Sequence, residues 1–335
     1  MVEQPALVEA LLTSDAYPHH PGSIDMAQTQ MSLVFLTGDY VYKVKKPVNL
    51  GYLDYTTLEK RLHFCRQEVT LNRRLCPDVY LDVVPIVEHN GAILVEREGE
   101  IIEYAVKMRQ LPLDRTMDNL LKAGQVSADM LGRVARKLAA FHEKAESSQV
   151  IARFGDVDTI VVNTDENFTQ TEKYIGTTIS QNAYDAIKSY TEGFIRENAP
   201  LFRQRMADSR IRDCHGDLHA AHVCFTDDIC IFDCIEFNDR FRYSDVANEV
   251  AFLAMDLDQH GRPDLSGEFV EAYVEASGDS HLLRLLGFYK CYRAYVRGKV
   301  ESFKLDDPLI PAEDKGRIQD VARRYFELAR SYIAG

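Results

Sequence analysis

The chain contains 335 residues, of which 46% are hydrophobic and 27% are charged, and its formal net charge is −13. This length exceeds what one small hydrophobic core needs and predicts two lobes or domains. The negative charge disfavours broad binding to nucleic acids or anionic membranes, because these partners are negative themselves. No apolar run reaches the roughly 18 residues that a membrane-spanning helix requires. We therefore expect no nucleic-acid or membrane partner, and the sequence does not indicate an oligomeric state.

Seven cysteines are scattered along the chain, at Cys65, Cys76, Cys214, Cys224, Cys230, Cys234 and Cys291. Because their number is odd and no CxxC pair occurs, a disulfide framework is not expected. The cysteines between residues 214 and 234 match no common zinc spacing, which favours their interpretation as small core residues. Residues 1–13 lack the basic start and cleavage site of a signal peptide. These features predict a reducing, cytoplasmic setting.

The first strong pattern is a pair of β-rich runs at residues 31–36 and 40–47, joined by a short turn that contains Gly38. It predicts a β-hairpin. In the second run Lys43 and Lys45 share one face of the strand. Burial of a lysine ammonium is costly unless an anion pairs with it. These lysines are therefore either protective charges on an edge strand or functional groups.

A helix and three further strands follow this hairpin. Apolar residues at helical spacing predict a helix within residues 55–75, with Glu68 beside the apolar stripe. Further β-rich runs, separated by turns with hairpin chemistry, lie at residues 80–87, 92–96 and 101–108. Helical periodicity dominates from about residue 117 onward. We therefore predict an α+β fold with a boundary near 109–113, between a strand-rich lobe at residues 1–110 and a helical lobe at residues 111–335.

The densest group of chemically active residues lies between residues 212 and 237. Short apolar runs flank His215-Gly216-Asp217-Leu218-His219 and, further along, Asp233. Such a layout can hold carboxylates and imidazoles rigidly at the end of a small sheet. Phosphoryl transfer needs a lysine for nucleotide phosphates, a carboxylate that orients it, and acidic groups for a proton and for Mg²⁺. The order Lys43, Glu68, Asp217, Asp233 fits this chemistry.

Residues 31–295 resemble the aminoglycoside phosphotransferase and choline kinase superfamily, within the protein-kinase-like fold. The motif from His215 to His219 matches the family's catalytic loop, in which Asp217 takes the position of the catalytic base. The resemblance implies a small antiparallel-sheet lobe with one main helix, and a larger helical lobe with the catalytic loop and the substrate-binding region. The chain is more closely similar to an uncharacterised bacterial subgroup that is sometimes fused to a P-loop kinase domain, although no P-loop signature occurs here.

The resemblance also implies which residues contact the nucleotide. Lys43 takes the position of the lysine that holds the phosphates, with Glu68 as its carboxylate partner. Lys45 shares the face of Lys43 and is a rival for this role. Met108 and Gln110 lie in the segment expected to bind adenine. The implied cofactors are ATP and Mg²⁺, with Mn²⁺ as an alternative ion.

The implied metal site departs from the family pattern at one position. Asp233 and Glu236 lie in the metal-binding segment, but His222 stands where the family has a metal-binding asparagine. An imidazole suits softer ions such as Mn²⁺ or Zn²⁺ better than Mg²⁺. His222 therefore either binds metal through nitrogen, donates a hydrogen bond to a phosphate, or marks the loss of a second ion. In the last case Asp233 and Glu236 hold a single ion.

The function that the resemblance implies is ATP-dependent phosphorylation of a hydroxyl on a small molecule. Three alternatives stay open: a pseudokinase that senses nucleotides or binds a partner, an enzyme that transfers AMP, and a metal-dependent hydrolase. The hydrolase would use the cluster His215, Asp217, His219 and His222, and it would leave Lys43 without a role. The sequence does not indicate which small molecule accepts the phosphate.

Overall fold

The computed structural model describes residues 4–307 and 310–333. The chain divides into two compact units, the first formed by residues 1–116 and 222–239, and the second by residues 117–221 and 240–335. This division differs from the one predicted near residue 110, because residues 222–239 pack with the N-terminal part of the chain.

Strands and helices alternate in the first part of the chain, and helices dominate the rest. The strands are β1 (Asp25–Gln28), β2 (Ser32–Leu36), β3 (Tyr40–Lys45), β4 (Tyr80–His89), β5 (Ala92–Val95), β6 (Glu100–Arg109), β7 (Ile211–Asp213), β8 (Val223–Phe225), β9 (Ile229–Ile231) and β10 (Tyr243–Asp245). The helices are α1 (Gln4–Leu11), α2 (Leu58–Asn72), α3 (Met117–Lys122), α4 (Ala128–Lys144), α5 (Gln149–Ala152), α6 (Val157–Thr171), α7 (Gln181–Glu197), α8 (Ala199–Ala207), α9 (Asp239–Arg242), α10 (Val246–Gln259), α11 (Pro263–Ser277), α12 (Leu283–Phe303) and α13 (Ala312–Ser331). In the described part of the chain, none of these helices combines the length and apolar character needed to cross a membrane. The predicted α+β class is confirmed.

A six-stranded antiparallel sheet, in the order β1-β2-β3-β6-β4-β5, forms the body of the first unit. The predicted hairpin is its β2–β3 pair, in which Leu36 lies opposite Val41. Tyr42 and Val44 point into one hydrophobic core of the sheet. Because side chains alternate along a strand, the two lysines of β3 lie on the opposite face.

Helix α2 covers the face of the sheet that carries these lysines. The helix begins after Thr57, whose side chain accepts the Lys60 N–H and caps the first turn. Val69 of α2 packs in one cluster with Val106 of β6. Glu68, one position earlier on the helix, is fully buried. The helix predicted within residues 55–75 is thus confirmed, with slightly shorter bounds.

A disulfide between Cys76 and Cys230 lies within the first unit. It joins the segment after α2 to strand β9. The number and spacing of the cysteines predict no disulfide framework, and they do not indicate this single bond. The two cysteines are 154 residues apart, and they meet only because residues 222–239 fold with the N-terminal part. The five other cysteines are buried and are not part of this disulfide, which supports their interpretation as core residues.

This disulfide gives a direct test by thiol counting. We expect the denatured protein, without reductant, to expose five reactive thiols out of seven cysteines. Prior reduction should raise the number to seven. Titration with a chromogenic disulfide in guanidinium chloride measures both values, and seven thiols before reduction would contradict the Cys76–Cys230 bond.

Helices form the second unit, apart from a short antiparallel pair of strands. Helix α10 is buried along most of its length and packs against both α11 and α12. In the strand pair, Asp213 of β7 lies opposite Tyr243 of β10. The loop that begins after β7 carries the predicted catalytic motif, so the strand pair and α10 determine where this loop starts.

Candidate active site

The two lysines of β3 share one buried carboxylate in the first unit. Lys43 Nζ lies 2.8 Å from Glu68 Oε1, and Lys45 Nζ lies 2.7 Å from Glu68 Oε2. A buried carboxylate is costly unless cations compensate its charge, and here two cations do so. The structure therefore brings Lys43 and Glu68 together and adds Lys45 to the same cluster.

Two carboxylates from the segment after β9 extend this cluster. Lys43 Nζ donates a hydrogen bond to Asp233 Oδ1 at 2.6 Å, and Lys45 Nζ donates to Glu236 Oε1. The Tyr55 hydroxyl also donates to Glu236 Oε1, at 2.7 Å. Anions and cations thus alternate in a chain of five groups: Asp233, Lys43, Glu68, Lys45 and Glu236.

Solvent exposure distinguishes the two lysines of this charge chain. The side chain of Lys43 is 16% exposed and that of Asp233 is 42% exposed. The side chain of Lys45 is only 1% exposed. Lys43 and Asp233 therefore form the end of the charge chain that a ligand can reach. Lys45 lies in the interior of the charge chain.

Electrostatic interactions keep Lys43 and Glu68 ionised. Burial alone would lower the pKa of Lys43, but Asp233 and Glu68 raise this pKa well above its usual value. Burial would raise the pKa of Glu68, yet Lys43 and Lys45 hold this pKa below its usual value. The shifts show that the attraction between opposite charges outweighs the loss of hydration.

The backbone around Asp233 is held by polar side chains of the first unit. Asp233 has a φ of +62°, a left-handed conformation that aspartate tolerates better than most residues. Its N–H donates to the Tyr80 hydroxyl at 3.1 Å. The following N–H, of Cys234, donates to Asn72 Oδ1 at 2.9 Å. These contacts fix the backbone from which the Asp233 side chain extends.

His222 lies beside Asp233 in the same unit. Its Nε2 atom is 3.6 Å from Asp233 Oδ2, and its carbonyl oxygen accepts the Phe232 N–H at 3.0 Å. An imidazole nitrogen and a carboxylate oxygen at this separation are donors suited to one divalent ion. Glu236, the third predicted ligand, directs Oε1 to Lys45 and Tyr55, so this oxygen already has partners.

Met108 and Gln110 lie at the end of β6 and just beyond it. Met108 lies opposite Val41 of β3. Gln110 Oε1 accepts the Gly38 N–H at 3.2 Å, and the Gln110 N–H donates to the Asp39 carbonyl at 3.0 Å. The segment predicted to bind adenine therefore supports the β2–β3 turn, where Gly38 has a φ of +90° that favours glycine.

In the second unit, the predicted catalytic residue Asp217 lies in the loop after β7. Gly216 has a φ of +90°, and the Asp217 N–H donates to His215 Nδ1 at 3.3 Å. The Asp217 side chain is 32% exposed, and its Oδ2 lies 3.6 Å from His219 Nε2. An accessible carboxylate in this position can accept a proton from an attacking hydroxyl.

Glu249 of α10 holds the backbone of this loop. Its Oε1 accepts the N–H groups of His215 at 2.9 Å and Gly216 at 2.6 Å. Its Oε2 lies 2.8 Å from His142 Nε2. Burial alone would raise the pKa of Glu249, but the contacts with His142 and His215 lower it to about 2. Glu249 therefore holds the backbone of the loop at His215 and Gly216 as a carboxylate.

We expect ionised Glu249 to stabilise the fold by about 3 kcal/mol near neutral pH, since its pKa falls from 4.5 to about 2. This contribution is present above about pH 4.5 and is lost as the pH falls toward 2. Glu249→Gln should be less stable than wild type at neutral pH, and the difference should narrow in acid. Urea unfolding across this pH range measures it, with the exposed Glu192→Gln as control. A difference that stays constant with pH would contradict the role of the Glu249 charge.

One arginine of α12 bonds to the same loop, and a second interacts electrostatically with Asp217. Arg293 Nη1 donates to the Gly216 carbonyl at 3.3 Å, and its Nε donates to Asn248 Oδ1 at 2.7 Å. Burial would lower the pKa of Arg297, but Tyr325 and Asp217 raise it above its usual value. The arginines therefore bring positive charge to the side of the loop that carries Asp217.

The first unit brings together a group of residues that the sequence singled out: Lys43, Glu68, His222, Asp233 and Glu236. Sequence reasoning missed the supporting groups Tyr55, Asn72, Tyr80 and Glu249. Glu249 carried a usable signal, because it is a charged residue inside the apolar run of α10. The other three have no distinctive spacing in the sequence.

Sequence comparison places the chain near proteins of unknown activity. No protein-family model matches. The uncharacterised protein Rv2004c of Mycobacterium tuberculosis (strain H37Rv) is 33% identical over 291 residues, which cover 86% of this chain and 57% of that protein. The chain thus spans a little over half the length of this relative.

Structural comparison identifies the fold. A choline/ethanolamine kinase family protein of Mesorhizobium loti matches with a TM-score of 0.53 at 13% identity, over 97% of this chain and 99% of its own. An aminoglycoside 2′-phosphotransferase in complex with GDP matches with a TM-score of 0.55 at 13% identity, over 99% of each chain. The chain therefore shares its fold with these two proteins, as the sequence analysis predicts.

Proposed function

We propose that this protein transfers the γ-phosphoryl group of ATP to a hydroxyl of a small molecule. The observation that carries the proposal is Lys43, which bridges buried Glu68 and accessible Asp233. A lysine paired with a helix carboxylate and a metal-binding aspartate are the parts that protein kinases use to align nucleotide phosphates. Two solved structures that share this fold are named as a choline/ethanolamine kinase family protein and an aminoglycoside phosphotransferase, which supports the same chemistry.

In this proposal Lys43 contacts the nucleotide phosphates. Its ammonium leaves Asp233 and binds phosphate oxygens instead. Glu68 keeps the ammonium in place, because the Glu68 carboxylate is buried and cannot turn to solvent. Met108 and Gln110 are proposed to contact the adenine base near the β2–β3 turn. We propose ATP as the nucleotide, although the phosphotransferase of the same fold was crystallised with GDP.

Asp217 is the proposed catalytic residue. The acceptor oxygen forms a bond to the γ-phosphorus while the bond from that phosphorus to the β–γ bridging oxygen breaks, and ADP leaves. Asp217 orients the acceptor hydroxyl and takes its proton. Glu249 and Arg293 hold the loop in place so that Asp217 is positioned before the substrate arrives.

Asp233 and His222 are the proposed metal ligands, with Glu236 as a further candidate. The donor set fits a divalent ion, because the Asp233 carboxylate is accessible and the His222 imidazole lies beside it. When bound, Mg²⁺ or Mn²⁺ supplies positive charge that offsets the negative charge of the phosphates. We also propose a cytoplasmic setting, since ATP is abundant there, and in that setting the Cys76–Cys230 bond must resist reduction by the cellular thiol pool.

Thermal unfolding with different ligands tests nucleotide binding. We expect Mg-ATP to raise the unfolding temperature more than Mg²⁺ or ATP alone, because a ligand at 100 times its Kd stabilises a protein by about 2.7 kcal/mol. The same series with Mn²⁺ tests the altered metal ligand. Stabilisation by metal alone, together with turnover of phosphate esters, would instead favour a metal-dependent hydrolase.

A further inference from the structure

Lys45 is a buried cation that the proposed reaction does not use. Its ammonium lies between Glu68 Oε2, at 2.7 Å, and Glu236 Oε1, and its side chain is 1% exposed. Tyr55 lies beside it, with its hydroxyl 3.4 Å from Lys45 Nζ. A phosphate could reach Lys45 only after these contacts break, so its burial argues against Lys45 as the phosphate-binding lysine.

The partners of Lys45 connect it to the segment that carries the proposed metal ligand. Glu236 lies three residues after Asp233, and its Oε1 is held by both Lys45 and the Tyr55 hydroxyl. The remaining contacts of this segment with the rest of the first unit include backbone N–H bonds to Tyr80 and Asn72. These bonds are neutral, whereas the Lys45–Glu236 contact is a buried ion pair.

After nucleotide binding, the Lys45–Glu236 ion pair contributes more to holding the segment of Asp233 against β3. In the proposed function, phosphates replace Asp233 as the partner of Lys43, and the segment then loses its other salt bridge to β3. Lys45 still holds Glu236 and also keeps one oxygen of Glu68. The same cation therefore restrains both the segment of Asp233 and the carboxylate that orients Lys43.

We propose that Lys45 is a positioning residue that anchors Glu236, and through it holds Asp233 in place for the metal ion of the nucleotide complex. The inference rests on the proposed function. It assigns Oε1 of Glu236 an anchoring role, so this oxygen is not a metal ligand. It also gives the two lysines of β3 different roles: Lys43 binds the nucleotide phosphates, and Lys45 binds Glu236.

Removal of the cation should weaken the response to Mg²⁺. Lys45→Met is expected to raise the Mg²⁺ concentration for half-maximal ATP binding by about 10- to 100-fold, the usual effect of losing a group that orients a metal ligand. It should also speed amide hydrogen exchange at Asp233 and Cys234 in the protein without nucleotide. The control Lys60→Met removes an exposed lysine of α2, 44% exposed and paired with Asp54, and should change neither value.

A double variant separates positioning from simple neutralisation of buried charge. Lys45→Met/Glu236→Gln removes both charges and keeps an oxygen that can accept the Tyr55 hydroxyl. We expect this variant to regain thermal stability relative to Lys45→Met while its Mg²⁺ requirement stays raised. Recovery of the normal Mg²⁺ requirement together with stability would overturn the inference.

Tyr55→Phe keeps the proposal testable if the Lys45 variants do not fold. This change removes one hydrogen bond to Glu236 and leaves every charge in place, so we expect a smaller rise in the Mg²⁺ requirement. An unchanged requirement would count against the anchor. If wild type fails to bind Mg-ATP, the proposed function fails; if wild type binds it and Lys45→Met responds to Mg²⁺ equally well, only this inference fails.

Discussion

Replacement of Asp217 by asparagine is expected to slow phosphoryl transfer by about 10²–10⁴-fold, the usual contribution of a general base. Asparagine has nearly the same size and can still contact the acceptor hydroxyl, but it cannot take the proton. Asp217 is partly exposed in the second unit, and the proposed nucleotide ligands Lys43 and Asp233 belong to the first. Mg-ATP binding should therefore be unchanged, and the loss should appear in kcat.

A matched control for this variant is Asp208→Asn, which removes an exposed carboxylate from the same unit. Its kcat should equal that of wild type. Steady-state kinetics and calorimetric titration with Mg-ATP measure the two properties separately. Full activity of Asp217→Asn would show that the HGDLH motif does not supply the base.

Replacement of Lys43 by methionine is expected to lower phosphoryl transfer by about 10²–10³-fold, or about 3–4 kcal/mol, as loss of one preorganised electrostatic donor does. The variant removes the cation that joins Glu68 and Asp233. Affinity for Mg-ATP should fall as well, because Lys43 contacts the phosphates in the ground state too. The combined loss distinguishes Lys43 from Asp217, whose replacement spares binding.

Lys107→Met is the control for Lys43. Lys107 lies in the same sheet, is 17% exposed, and pairs with Glu96 at 2.8 Å. Because it lies opposite Tyr42, it is on the other face of the sheet from Lys43. We expect this variant to bind Mg-ATP normally. Equal losses in the two lysine variants would indicate that any buried lysine of the sheet matters only for stability.

The fold could be predicted where local pattern and tertiary packing agree. The β2–β3 hairpin follows from two β-rich runs and a glycine turn, and α2 follows from its apolar stripe. Helix α6 carries a weaker pattern, because its buried face mixes apolar and polar residues, namely Ile160, Thr164, Asn167, Phe168 and Thr171. Such a face does not show apolar residues recurring at helical spacing, which is the signal that predicts a helix. Strand β1 is exposed along its length, so it has no alternating pattern either.

The candidate site was predictable as a set of residues but not as a set of contacts. The alternation of β3 placed Lys43 and Lys45 on one face, and only the family resemblance favoured Lys43. In the structure, burial distinguishes the two lysines. Glu68 forms ion pairs with both of them, and Glu236 forms an ion pair with the more buried one, Lys45. The disulfide and the packing of residues 222–239 with the first unit depend on contacts between residues far apart in the sequence, which local patterns do not contain.

The central claim, transfer of the γ-phosphoryl group, is tested most directly with ATP labelled at either the α- or the γ-phosphorus. The protein is incubated with Mg²⁺ and each labelled ATP in the presence of a panel of amino alcohols, sugars and aminoglycosides, and products other than nucleotides are separated. We expect label from the γ-position in a phosphorylated acceptor, none from the α-position, and loss of the signal in Asp217→Asn. Label only in inorganic phosphate would show hydrolysis and would contradict the transfer. Label from the α-position would show AMP transfer, and bound ATP that yields no labelled product would show a pseudokinase; either result would contradict the proposed function.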